Sequence, residues 1–271
     1  MNIDEKYKRL LGLIAAQGSA AVAFSGGVDS SFLCHAAVAA LGPRAMAVTI
    51  VSPMLPKSEI ACAVELARKV GIEHILLEEG EIDEVVASNP KERCYFCKKQ
   101  EFGSIIAAAK ERGFSTVLDG SNLDDLGDYR PGLKALEELN IMSPLREAGL
   151  TKADIRELSR RFDLPTWDKP AFACLASRIP YGERIDKEKL ARVEKAEDTL
   201  RSAGFRQFRV RSHDNIARIE VAPEERRRFF DEKTLDAISH SLKSYGFLYV
   251  ALELEGYSMG NMNRALTASR S

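Results

Sequence analysis

Apolar residues return every three or four positions from Ile3 to Ala16, a helical spacing, and then crowd into the short run Ala20 to Phe24, which reads as a buried strand. Past Gly26-Gly27 the pattern predicts a helix over Asp29 to Leu41, stopped by Gly42-Pro43, and a second buried strand over Ala45 to Val51. The alternation continues with a helix from Lys57 to Val70, a strand over His74 to Leu77, a helix from Cys94 to Arg112 and a strand over Thr116 to Leu118. Strands and helices alternating at this spacing predict an α/β fold, a parallel sheet covered on both faces. Ligands of such sheets lie at the carboxyl ends of the strands, here Phe24-Ser25-Gly26, Val51-Ser52-Pro53 and Asp119-Gly120-Ser121, so those loops should meet at one crevice.

Periodicity lapses near Leu164. The stretch to Gly182 holds three prolines and no repeat, and its Trp167, Phe172 and Tyr181 argue for an ordered functional segment over a disordered one. Beyond it, Lys187 to Ala203 reads as an amphipathic helix, Phe208 to Arg211 and Ile216 to Val221 as strands, Pro223 to Ser244 as one helix and Phe247 to Leu254 as a last strand. The expected division is a large domain over residues 1–182 and a smaller α+β domain over 183–271.

Composition adds limits. The 271 residues are 45% hydrophobic and 29% charged, enough for a sizeable core, and 39 basic against 40 acidic residues leave a net charge of -1. That balance supplies no global positive field for nucleic acid or for an anionic membrane surface. Charges run through Met1 to Leu10 where a secretory signal would be apolar, and no later stretch has a membrane span's run of apolar residues, so a cytoplasmic protein is expected.

Ser25-Gly26-Gly27-Val28-Asp29-Ser30 sits where a strand hands over to a helix. Two glycines let the backbone turn sharply and approach an anion, the helix start offers amides and a positive dipole end, and Ser25 and Ser30 add hydroxyl donors. Asp29 suits a magnesium ion or a helix cap. No lysine follows the glycines, so this is not a Walker loop. The run matches the Ser-Gly-Gly-x-Asp-Ser signature of the PP-loop ATP pyrophosphatases, whose members split ATP to AMP and pyrophosphate to activate an oxygen.

Five cysteines are too few and too scattered for a disulfide framework. Cys34 and Cys62 lie in alanine-rich helices and read as small buried apolar residues. Cys94-Tyr95-Phe96-Cys97 has the spacing that brings two sulfurs to one metal, amid Lys91, Arg93, Lys98 and Lys99, which favour thiolates. Cys174, in the irregular segment, is the candidate third ligand. Three cysteines can hold three irons of a 4Fe-4S cluster and leave the fourth open to hydrosulfide; a zinc site and free thiols with Cys174 reactive are the alternatives.

Taken together, the loop Ser25 to Ser30, Arg93 to Lys98, Asp119-Gly120-Ser121-Asn122 with Asp128 to Gly132, the run Ala173 to Gly182, and Ala217 to Val221 resemble the LarE-type sulfur transferases of nickel-pincer nucleotide cofactor synthesis. The resemblance spans nearly the whole chain. It implies a PP-loop, adenine nucleotide alpha hydrolase-like domain with a smaller C-terminal α+β domain serving oligomerisation and substrate closure. The implied substrate is a small nucleotide, pyridinium-3,5-biscarboxylic acid mononucleotide. Its carboxylates would be adenylated by ATP with magnesium and converted to thiocarboxylates.

In one type of member a cysteine at the Cys174 position gives up its own sulfur; in the other, three cysteines hold a 4Fe-4S cluster that carries sulfide from an external donor. Cys94, Cys97 and Cys174 together align this chain with the second type. Nucleotide contacts fall to Ser25, Gly26, Gly27, Asp29, Ser30, Ser52 and Gly120. Substrate contacts fall to Ser177, Arg178, Arg209, Arg211, Asp128 and Arg130, and Glu220 is a weaker metal candidate. Homo-oligomers are implied, and no membrane or nucleic-acid partner. Rival expectations are a tRNA thiolation enzyme, an ammonia-using ligase of the NAD synthetase kind, and a nucleotide-binding regulatory protein with structural zinc.

Overall fold

The computed structural model describes residues 1–127, 131–170 and 173–258. Contacts divide the chain into two units, Met1–Val86 with Glu92–Phe172, and Ala87–Lys91 with the chain from Ala173 onward. The second unit thus begins at 173, ahead of the expected 183, and takes in a short earlier segment.

In the first unit, α1 (Ile3–Ala15), β1 (Ala20–Ala23), α2 (Val28–Leu41), β2 (Ala45–Val51), α3 (Lys57–Val70), β3 (Glu73–Glu78), α4 (Glu84–Ala87), α5 (Arg93–Glu111), β4 (Val117–Leu118), α6 (Pro131–Glu138), α7 (Pro144–Glu147) and α8 (Lys152–Arg161) follow in order, α4 running one residue into the second. The strands pair in parallel in the order β3-β2-β1-β4. Successive strand residues point to opposite faces: Ala20, Val22, Ala45 and Ala47 join one apolar cluster with Leu10, Ile14, Phe32 and Leu158. Ala21, Met46, Val48 and Ile50 join another with Phe102, Ile105 and Leu136. α2 is buried along nearly its whole length because its faces carry small or apolar side chains almost all round.

From β1 the chain steps outward to β2 and β3 and then returns to the other side as β4, so the order reverses between β1 and β4. That reversal opens the crevice beyond their carboxyl ends. The end of β1 is pinned from β2: Thr49 donates its single hydroxyl hydrogen to the Phe24 carbonyl at 2.6 Å, so His74 Nε2, 2.8 Å from the same oxygen, is the donor to it.

In the second unit, α9 (Lys187–Ser202), β5 (Phe208–His213), β6 (Ile216–Val221), α10 (Glu232–Ser244) and β7 (Tyr249–Leu252) follow a 3-10 turn at Leu175–Arg178. The sheet runs β5-β6-β7, antiparallel then parallel, over a core of Leu200, Phe205, Phe208, Val210, Ile219, Leu242 and Phe247. The single helix expected over Pro223 to Ser244 is two elements, a 3-10 stretch Pro223–Phe230 and α10. Asp231 separates them by capping α10, accepting from Thr234 N at 2.9 Å and Thr234 Oγ1 at 2.7 Å. The last strand is shorter than Phe247 to Leu254.

Candidate active site

Gly26 turns the chain out of β1 with φ +70°, and a β-carbon there would come within 3.2 Å of Ala63 Cβ on α3, so only glycine fits both the angle and the gap. Gly27 is the N-cap of α2 and offers no side chain, which leaves the first amides of that helix uncapped by any side chain. Across the loop the Ser25 and Ser30 hydroxyls meet at 3.2 Å, and Ser30 Oγ donates to Gly27 O at 3.3 Å. Uncapped amides, two hydroxyls and the dipole of a 14-residue helix make an anion cradle.

The β4 loop closes the other side. A β-carbon on Gly120 would stand 3.2 Å from Ser30 N, so backbone approaches backbone at this point. Asp119 fixes the loop by accepting from Ser121 N at 3.0 Å and from the hydroxyls of Ser121 and Ser143. Ser25, Gly26, Gly27, Asp29, Ser30 and Gly120 are therefore brought together. Ser52 lies just past β2, half-buried, its carbonyl accepting from Leu55 N at 3.0 Å.

Asp29, in the first turn of α2, pairs with Lys152 and lies 3.5 Å from the Asn122 amide. Burial pushes its carboxyl above the usual range and the Asp125 charge adds to this, while Lys152 and Arg156 oppose it. Two further cations support the loop. Lys169 donates to Gly26 O at 3.0 Å and to Glu59 Oε2 at 2.8 Å; Arg156 holds the carbonyls of Trp167 at 2.6 Å and Lys169 at 2.8 Å.

Cys94 and Cys97 lie in the first turns of α5, three residues apart and so on one side of it. Cys97 Sγ donates to Glu101 Oε1 at 3.3 Å. The start of α5 is tied to α6 by Glu138, which accepts from Tyr95 Oη at 2.7 Å and Lys99 Nζ at 2.8 Å. Among the described residues no three His, Cys, Asp or Glu side chains gather as a metal would need.

In the second unit Cys174 is exposed and caps the 3-10 turn Leu175–Arg178. Arg178, expected at the substrate, is fully buried and committed elsewhere. It pairs with both oxygens of Glu197 at 2.8 and 2.9 Å and donates to Ala173 O, Cys174 O and Ser177 Oγ at 2.7, 3.0 and 2.9 Å. Its place is to hold the Cys174 turn on α9. Arg211 does the same from β5, with Nη1 on Ser177 O at 2.7 Å and its other nitrogens on Glu220 at 3.1 and 2.9 Å.

Glu220 also meets Arg218 at 3.1 Å and has no exposure, so the weak expectation of a metal ligand there gives way to a buried ion-pair carboxylate. Arg209 donates to Phe208 O at 2.6 Å and lies over the Tyr257 ring; burial and the Arg178 charge lower its pKa. Ser177 Oγ donates to Cys174 O at 2.8 Å. Asp128 and Arg130 lie outside the described residues.

An asparagine synthase family model matches residues 13–94, which include the glycine loop. The chain is 43% identical to an uncharacterized protein of Synechocystis over 98% of this chain and 99% of that one. It is 38% identical to the pyridinium-3,5-bisthiocarboxylic acid mononucleotide synthase of Lactiplantibacillus plantarum, covering 92% of this chain and 90% of that protein. With the GMP synthase of Aeropyrum pernix it shares 27% identity over 67% of this chain and 39% of that enzyme.

The chain belongs to the LarE family. It is an ATP-using, sulfur-transferring enzyme built on a PP-loop domain. No helix among the described residues is long and apolar enough to cross a membrane. Lys152, Arg156 and Lys169 beside the glycine loop in the first unit, and Asn89 in the second, are residues of this LarE-family chain that the sequence pattern missed. Asn89, buried with φ +56°, donates to Pro180 O at 2.6 Å and Glu183 O at 3.0 Å and so holds the chain that follows Cys174. A capping box, Thr151 with Asp154, marks the helix that carries Lys152 and Arg156 and was readable; nothing in the sequence marks Lys169 or Asn89.

Proposed function

We propose that this enzyme adenylates the carboxylates of pyridinium-3,5-biscarboxylic acid mononucleotide with ATP and converts them to thiocarboxylates. The observation that carries this reading is the approach of the Gly120 backbone to the first turn of α2, which closes an anion cradle at the sheet's switch point, in a chain 38% identical to a synthase named for the bisthiocarboxylic product. A carboxylate oxygen leaves poorly until adenylation lets it depart as AMP. The uncapped amides of α2 with Ser25 and Ser30 would bind the phosphates, and Asp29 is the oxygen donor that would hold magnesium. The balanced charge of -1 argues against a tRNA substrate.

Cys94, Cys97 and Cys174 are the residues that would hold a 4Fe-4S cluster, which when bound supplies an open iron for sulfide from an external donor. Cys94 and Cys97 on one side of α5 fit two of its irons. A second reading has its own support: Cys174 is exposed, as a thiol that gives up its sulfur must be. In it the Cys174 thiolate attacks the adenylated carbonyl and AMP leaves; loss of the Cα proton then breaks the Cβ–Sγ bond, leaving thiocarboxylate and dehydroalanine. A reducing cytoplasm suits either reading, since none of the five cysteines is in a disulfide.

The test is anaerobic purification and reconstitution with iron and sulfide, followed by measurement of pyrophosphate and of sulfur-containing product per chain, beside Cys94→Ala and Cys174→Ala. Repeated turnover that needs iron, sulfide and both cysteines supports the cluster. One equivalent of product that survives Cys94→Ala, with Cys174 lighter by hydrogen sulfide, supports sacrifice. Absence of both sulfur transfer and pyrophosphate release overturns the proposal.

A further inference from the structure

Lys152 is the first residue of α8, where the positive end of the helix dipole disfavours a cation. The helix does not need it there. Thr151 and Asp154 already complete the capping box. The Lys152 side chain instead runs to the carboxylate of Asp29, on another helix. Its backbone is held while its ammonium is not buried: Lys152 N donates to Asp124 Oδ2 at 2.8 Å, and its side chain keeps 32% of its exposure. A four-carbon stem on a fixed Cα can swing its ammonium by several ångströms.

The neighbouring cations are occupied otherwise. Arg156 and Lys169 hold backbone carbonyls and thereby the shape of the loop. Lys152 holds the one carboxylate of the loop, and a hard divalent cation bound to phosphate would claim that oxygen. Removing the ammonium without replacing its charge would leave Asp29 under the charge of Asp125 with Arg156 alone opposing it.

We propose that Lys152 is a placeholder cation, neutralising Asp29 until nucleotide-bound magnesium takes that oxygen and then passing its ammonium to the nucleotide phosphates. This rests on the reading of the glycine loop as an ATP site. The charge near Asp29 stays balanced in both states, and the lysine that guards the empty loop becomes a phosphate ligand in the filled one.

Calorimetric titration tests it without catalysis, using magnesium alone and magnesium with an α,β-methylene ATP analogue that cannot release pyrophosphate. The two ligands should respond in opposite directions in Lys152→Met. Magnesium alone binds several-fold more tightly, since it no longer displaces an ammonium, and the magnesium analogue binds about tenfold more weakly, a loss of roughly 1.4 kcal/mol. Lys152→Arg, which keeps the charge, should restore most of the analogue affinity and keep magnesium alone weak. A purely structural ion pair predicts that both affinities fall together with the melting temperature, and that result overturns the proposal. So does a Lys152→Met protein that binds both ligands as the parent does. If the parent itself binds neither, the ATP site is misread, and the placeholder fails with it.

Discussion

Cys34 is fully buried in α2, where burial pushes its thiol up and keeps it protonated, whereas Cys174 is exposed at the start of a short turn. Thiol reactivity follows exposure and thiolate content. Alkylation of the apoprotein followed by peptide mass mapping should therefore label Cys174 first and Cys34 only on unfolding; early labelling of Cys34 would contradict the packing of α2. Arg178 makes a second residue-scale prediction. Its removal leaves Glu197 charged and buried without its bidentate partner, so Arg178→Met should cost about 3–5 kcal/mol by denaturant unfolding. Replacing Glu197 by leucine in the same chain should recover much of that loss. If the single substitution costs nothing, the pair does not hold the turn.

Among the elements, the strand tying the glycine loop in place is β2. Thr49→Val keeps shape and removes the hydroxyl, leaving the Phe24 carbonyl and His74 Nε2 without their shared partner. A destabilisation of about 1–3 kcal/mol is expected, with weaker nucleotide binding, both measurable by thermal shift with and without ATP analogue; an unchanged melting curve would show that the bond is not needed.

The strands and helices of the first half were legible because each shows one period and ends in a glycine or proline, as Ala45–Val51 and Lys57–Val70 do to the residue. The helices between Pro131 and Arg161 were less so, since α7 has one turn and α6 two. The glycine loop was readable because its backbone geometry demands glycine and its chemistry demands hydroxyls. The inward roles of Arg178 and Arg211 were not, because an arginine's partner is chosen by tertiary packing: Glu197 is 19 residues away on α9. Local pattern carries no information on that choice.

For the whole molecule, three histidines set an acid limit. Burial lowers the pKa of His35, His74 and His213, with the charges of Arg218 and Arg211 adding to the effect at His213. As pH falls through about 6.5 the unfolded chain takes up these protons before the folded one does, so stability falls with acidification until the folded values are also passed. Asp29 and Glu183, raised chiefly by burial, act oppositely, but only as the carboxylate range is approached. The urea midpoint should therefore be lower at about pH 6 than at about pH 7.5; a flat profile across that interval would contradict it.

The path of the chain sets a further condition on how the protein is made. Ala87–Lys91 belongs to the second unit, yet it is synthesised more than 80 residues before the carbonyls of Ile179, Pro180 and Glu183 that Asn89 holds. A nascent chain stopped anywhere before that point lacks the carbonyls that Asn89 holds in the finished fold. Cutting the gene at the 172/173 boundary would leave the first product with the whole of its own unit and the second without Ala87–Lys91, so that cut does not separate the two units cleanly.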